Sequence, residues 1–191
     1  QYLDIWASKK NLILQGAPGV GKSFIARRLA YALIGSKNNS KTQTVQFHQS
    51  YSYEDFIQGF RPRDDGTFRL ENGVFYRFCK LAQTDPDRDY FFIIDEINRG
   101  NLSKVFGELM LLIEKDKRGE EVTLTYGTDN TKFSIPGNLF MIGTMNTADR
   151  SLALIDYALR RRFAFIDVKP NFGEKFKKHL EEKSKEHEKY L

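Results

Sequence analysis

The run Gly16-Ala-Pro-Gly-Val-Gly-Lys-Ser23 constrains the fold more than any other feature of this chain. It matches GxxxxGK[ST], the pattern of a loop that cradles phosphate between a strand and a helix. Asn11–Gln15 (NLILQ) leads into it as a compact apolar run, as a buried parallel strand would. After it, Ile25, Ala26, Leu29, Ala30 and Leu33 recur at helical spacing, and Gly35 closes the period. Each position has a chemical reason. Gly16, Gly19 and Gly21, with Pro18 and Val20 between them, let main-chain N–H groups close on phosphate oxygens without Cβ clashes. Lys22 brings an ammonium to the β- and γ-phosphates at a helix N-terminus, and Ser23 offers a hydroxyl to Mg²⁺. The chain reads as a nucleotide binder.

The rest of the pattern extends that joint into an α/β domain. Thr44–His48, Tyr90–Asp95, Leu139–Met145 and Phe163–Val168 read as further strands. Tyr53–Gly59, Val74–Ala82, Leu102–Glu114 and Leu152–Leu159 read as helices. Turn residues around Thr67–Leu70 suggest a hairpin excursion between Pro62 and Gly73, and Val122–Tyr126 with Lys132–Ile135 suggests a second. Five apolar strands separated by helices predict a mainly parallel sheet with helices on its flanks.

Composition sets the outer bounds. The chain has 191 residues, 40% hydrophobic and 14% aromatic, enough to bury a core and too apolar for disorder. Thirty Lys+Arg against twenty-five Asp+Glu leave a net charge of +5, which permits anionic ligands without specifying one. Cys79 is the single cysteine, so no internal disulfide forms and a reducing, cytoplasmic setting is expected. No apolar run approaches the roughly 18–20 residues of a membrane span, and QYLDIWASKK does not read as a signal peptide. After Gly173 the chain is almost all Lys, Glu and His, with Phe176 and Leu180 among them. A solvated helix is expected there.

Further acids and amides fall at strand ends, where a parallel sheet gathers its ligand site. Phe91-Phe-Ile-Ile-Asp95-Glu96 places Asp95 to hold Mg²⁺, directly or through water, and Glu96 to polarise the attacking water. Leu139-Phe-Met-Ile-Gly-Thr-Met-Asn146 ends in an amide that could orient water or meet a γ-phosphate, or simply make a turn. Arg160–Arg162 could be cations favoured at a helix C-terminus. His48 reads as a strand-end residue, and no Cys/His set suggests zinc.

Taken together, these residues resemble an AAA+ NTPase, in its P-loop large subdomain. Longer stretches are similar to the McrB family, the GTP-hydrolysing subunits of modification-dependent restriction systems. They are Met145-Asn-Thr-Ala-Asp-Arg-Ser151, Phe47-His-Gln-Ser-Tyr-Ser-Tyr-Glu-Asp-Phe-Ile-Gln-Gly-Phe-Arg-Pro62, Asp95-Glu-Ile-Asn-Arg-Gly-Asn-Leu-Ser103 and Asp156-Tyr-Ala-Leu-Arg-Arg-Arg-Phe163. The resemblance covers roughly residues 11–170 and implies a ring, usually a hexamer, with nucleotide between neighbours. It further implies GTP as substrate, stimulation by an McrC-like nuclease subunit, and DNA translocation by the full complex. Asn146 would then be the sensor that positions water, and Arg161 or Arg162 a finger reaching the neighbour's γ-phosphate. Arg99 and Arg150 would sit near the subunit interface. The resemblance also implies that residues 1–170 are the α/β nucleotide-binding unit and 171–191 the start of a truncated helical lid, so that weak nucleotide affinity and unstable rings are expected.

Base choice is thin in the sequence. The NKxD pattern of Ras-like GTPases is absent. Asp4, just before the first strand, is a candidate carboxylate for guanine, or an exposed acid with no role. An ATP-dependent remodeller similar to the MoxR group keeps the same fold and is the alternative. A direct DNA-binding module is disfavoured, because no basic stripe with interleaved aromatics appears.

Overall fold

The computed structural model describes residues 2–127, 131–148 and 160–170. Helix α1 (Tyr2–Lys9) leads into strand β1 (Asn11–Gly16), and helix α2 (Lys22–Ile34) follows the loop. Next come strand β2 (Thr42–Gln46), the single turn α3 (Tyr53–Phe56), strands β3 (Gln58–Pro62) and β4 (Phe68–Asn72), and helix α4 (Val74–Gln83). Strand β5 (Tyr90–Asp95) precedes the short helices α5 (Leu102–Phe106) and α6 (Leu109–Leu112). The small strands β6 (Val122–Thr123) and β7 (Lys132–Phe133) are followed by β8 (Leu139–Asn146) and β9 (Ala164–Asp167).

The expected sheet is present. Its order is β2-β5-β8-β1-β9, and every pairing in it is parallel. Its strands read as continuous apolar runs because both faces are covered. Phe91 and Ile93 point into one core with Trp6, Leu12, Leu14 and residues of α2. Phe92 and Ile94 point into the other, with Phe56, Phe75 and Phe106 from the opposite helices. Both expected hairpins form, as the antiparallel pairs β3–β4 and β6–β7.

Four details depart from the sequence pattern. Helix α1 carries too weak an apolar stripe to announce itself, and a single anchor holds it. Trp6 meets Phe91 and Phe140 edge-on at 5.3 and 5.8 Å and donates its Nε1–H to the Met141 carbonyl at 2.9 Å. Burying an indole removes about 150–250 Å² from water, which outweighs the helix's modest propensity. Strand β2 starts and stops two residues early; just beyond it Phe47 still donates its N–H to the Asp95 carbonyl at 2.9 Å, and its ring stacks on Tyr51 with centroids 4.7 Å apart. The turn α3 ends at Phe56 instead of Gly59, since Gln58 already begins β3.

The helix expected over 102–114 breaks at Gly107, whose φ of 50° is left-handed and whose Cβ would lie 3.0 Å from the Tyr53 ring. The break turns Glu108 toward its partners. Its Oε1 accepts from the Tyr53 hydroxyl at 2.6 Å and from the Thr125 N–H at 2.9 Å. Burial and the Glu108 hydrogen bond hold the Tyr53 phenol well above its usual pKa. The helix expected at 152–159, Arg150 and the charged segment 171–191 lie outside the described residues.

Candidate functional site

The carboxyl ends of β1, β5 and β8 gather the residues that the sequence singled out. Gly16 pairs in register with Asn146, and the Thr147 N–H donates to the Gly16 carbonyl at 3.2 Å. Asn146 therefore stands at the mouth of the loop. Gly16 has a steric reason that the sequence did not show. A Cβ there would lie 2.3 Å from the Val168 carbonyl oxygen, so the crossing of the chain after β9 by itself demands a glycine. Gly19 and Gly21 have φ of 79° and 87°, where a side chain is strained. Gly21 caps α2 with no side-chain hydrogen bond, so the first N–H groups of a 13-residue helix face the loop uncapped by side chains. Pro18 is exposed at the loop's tip, and Val20 is half-buried against the core beneath it.

Lys22 is buried, and its Nζ donates to the Gly16 and Ala17 carbonyls at 3.0 and 2.7 Å. The ammonium is thus held inside the loop's own curve. One helical residue on, the Ser23 hydroxyl donates to Asp95 Oδ1 at 2.7 Å. The same carboxylate oxygen accepts from the Thr144 hydroxyl at 2.7 Å, and Thr144 Oγ1 in turn accepts the Glu96 N–H at 3.2 Å. This chain of bonds joins the start of α2 to the ends of β5 and β8. Thr144 was not singled out by the sequence, although a hydroxyl inside the apolar run LFMIGTM was a signal.

Glu96 has φ 52° and ψ 46°, a left-handed backbone that a non-glycine residue seldom holds. Its carboxylate forms an ion pair with Arg99, three residues on. The structure therefore joins Arg99 directly to the acid expected to activate water. Ser23 and Asp95 offer a hydroxyl and a carboxylate, hard oxygen donors of the kind Mg²⁺ takes alongside substrate phosphates. Among the described residues no group of three or more His, Cys, Asp and Glu could hold a metal by itself. Asp4 is exposed in the first turn of α1, which packs on β9, β1 and α2.

The arginines before β9 lie at the other end of the sheet. Leu12 pairs with Ala164, so Arg161 and Arg162 sit level with the start of β1. Strand rise puts that level about 17 Å from Gly16, beyond the reach of an arginine side chain. The two arginines are not alike. The Arg162 side chain is 6% exposed and holds Glu114 Oε1 at 2.9 Å, whereas Arg161 is 67% exposed and approaches the same oxygen at 3.5 Å. Arg162, one of two expected fingers, is folded inward, and Arg161 is the outward one.

Beneath them, Asn11 is fully buried. Its amide donates to the Ile113 and Arg162 carbonyls at 2.7 and 3.0 Å and accepts from Arg118 Nη2 at 2.7 Å. Burial pushes the Arg118 guanidinium down to about 10, still charged at neutral pH. No helix among the described residues is long and apolar enough to cross a membrane.

Comparisons with known proteins agree with this fold. The family described as "AAA domain (dynein-related subfamily)" matches residues 11–163. The Type IV methyl-directed restriction enzyme EcoKMcrB subunit of Escherichia coli K12 is 64% identical over 167 residues, covering 86% of this chain. The Type II restriction enzyme BsuMI component YdiS of Bacillus subtilis is 29% identical over 193 residues, covering 82% of this chain. The chain spans 36% and 56% of the length of these two relatives. A crystal structure from Cytophaga hutchinsonii, provisionally described as an ATPase, superposes with a TM-score of 0.55 at 18% identity. It covers 94% of this chain and 47% of its own, and at that identity it supports the fold alone.

Proposed function

The chain belongs to the AAA domain family, dynein-related subfamily, as an McrB-like AAA+ domain, and on that premise we propose that it binds and hydrolyses GTP as the motor of a restriction complex. The observation that carries this reading is the hydrogen-bonded path from Ser23 through Asp95 and Thr144 to the Glu96 main chain. Such a path couples the phosphate loop to a second acid, as phosphoryl transfer requires and mere anion binding does not.

The residues divide the work as follows. Lys22 exchanges its two loop carbonyls for β- and γ-phosphate oxygens, aided by the N-terminus of α2. Ser23 and Asp95 would hold Mg²⁺, which supplies neutralisation of charge on the transferring phosphoryl group when bound. Glu96 accepts the proton of the attacking water, once its carboxylate is free of Arg99. Thr144 fixes both acids, and Asn146 orients the water or the γ-phosphate beside Gly16.

Arg161 is set too far from its own loop to act there, which favours delivery to a neighbouring copy. Repeated head-to-tail contacts of that kind close into a ring, read here as a hexamer. An McrC-like nuclease subunit and DNA engagement through the full complex complete the proposal. It is supported by the restriction-system names of both curated relatives.

Steady-state phosphate release with GTP and with ATP, in Mg²⁺ and in EDTA, with and without an McrC-like subunit, tests the reading. GTP turnover that needs Mg²⁺ and rises with the partner is expected. Clear preference for ATP would reject the GTP assignment in favour of an ATP-driven remodeller.

A further inference from the structure

Two arginines meet one carboxylate before β9, and they meet it differently. Arg162 is inside, held by Glu114 Oε1 at 2.9 Å, and its carbonyl is taken by the buried Asn11 amide. Arg161 is outside and approaches the same oxygen at 3.5 Å. A buried guanidinium bonded at both its side chain and its main chain cannot swing outward without stranding Glu114 and Asn11. The exposed neighbour loses only a long, solvent-screened contact when it leaves.

We infer that Glu114 is a positioning residue for Arg161: by neutralising and fixing Arg162 over Asn11, it sets the main chain from which Arg161 reaches a neighbouring copy's nucleotide. This rests on the reading of a site shared between copies. Asn11 makes the arrangement rigid. It opens the strand that ends at Gly16, and it ties the carbonyls of Ile113 and Arg162 together with the Arg118 guanidinium. Arg118 buries its Nε and Nη1 with no hydrogen-bond partner among the described residues, so Asn11 is the polar contact that locates it. Glu114 lies two residues past α6, next to the fully buried Ile113, so its carboxylate is placed by a packed segment rather than by a free loop.

The chemistry predicts a defect of one kind. A residue that only aims a transition-state contact lowers kcat and leaves KM nearly unchanged. In the assembled full-length protein, Glu114→Gln is expected to lower GTP turnover by about tenfold or more, with KM within about twofold. Glu114→Asp, which keeps the charge, recovers part of that loss.

Mixing separates aim from general damage. Glu114→Gln keeps an intact phosphate loop, and Lys22→Ala keeps an intact Arg161, so mixed assemblies regain turnover. Random mixing of equal amounts allows up to about one quarter of wild-type sites, since each needs one loop and one neighbour. Arg161→Ala mixed with Lys22→Ala is the control. Recovery in both mixtures supports the assignment. Recovery in the control alone, or wild-type turnover by Glu114→Gln on its own, overturns the role of Glu114. Failure of the control in confirmed mixed assemblies overturns the shared site, and the positioning role with it.

Discussion

The two ends of β1 are built on different principles. At Gly16 the phosphate loop is a local device, in which eight successive residues set the turn, the cation and the hydroxyl. At Asn11, five residues earlier and at the opposite end of the strand, the polar groups come from far apart in the chain. Asn11 meets Ile113, Arg118 and Arg162 across 102, 107 and 151 residues. The first end exposes its donors to a ligand, and the second buries them against one another. A phosphate loop can be written in a motif, whereas a buried polar network has to be assembled by the fold.

That contrast can be broken by substitution, beginning at the buried end. Asn11→Leu fills the same space but strands two carbonyls and a buried guanidinium, at a cost of about 3–5 kcal/mol. Thermal melting is expected to fall by about 10 °C, while Mg²⁺–GTP affinity of the folded protein stays as it was. A large loss of affinity would show that the two ends are not separable.

The next effect in size belongs to the open end. Glu96→Gln is expected to keep nucleotide binding and lose about 100-fold or more in turnover, with melting unchanged. Thr144→Val keeps the shape and removes one hydroxyl, leaving Asp95 and the Glu96 N–H each short of a partner. A loss of about 1–3 kcal/mol in chemical denaturation is expected, together with slower turnover; unchanged turnover would detach Thr144 from the site. Smallest is Gly107→Ala, where the left-handed backbone and the Tyr53 ring together cost about 1–2 kcal/mol. A stabilised variant there would contradict the explanation given for the broken helix.

Legibility in the sequence follows the same division. The parallel sheet, both hairpins and the cluster of Lys22, Ser23, Asp95, Glu96 and Asn146 were readable, because apolar period and motif spacing are local signals. Helix α1 was not, since its reason for existing is one indole packed on Phe91 and Phe140, more than eighty residues away. The break at Gly107 was not legible either, because the Tyr53 ring that crowds it lies more than fifty residues away in the chain. Arg161 and Arg162 are adjacent and chemically identical in sequence. The fold makes one inward and the other outward, burying Arg162 against Glu114 and leaving Arg161 exposed.

The central claim is that the loop from Gly16 to Ser23 binds a nucleoside triphosphate through Lys22. Calorimetric titration of Mg²⁺–GTP into the wild-type protein and into Lys22→Ala tests it most directly. Saturable one-to-one binding by the wild type, with affinity reduced by about 100-fold or more in the variant, is the predicted result. Equal affinity in the two proteins would contradict it.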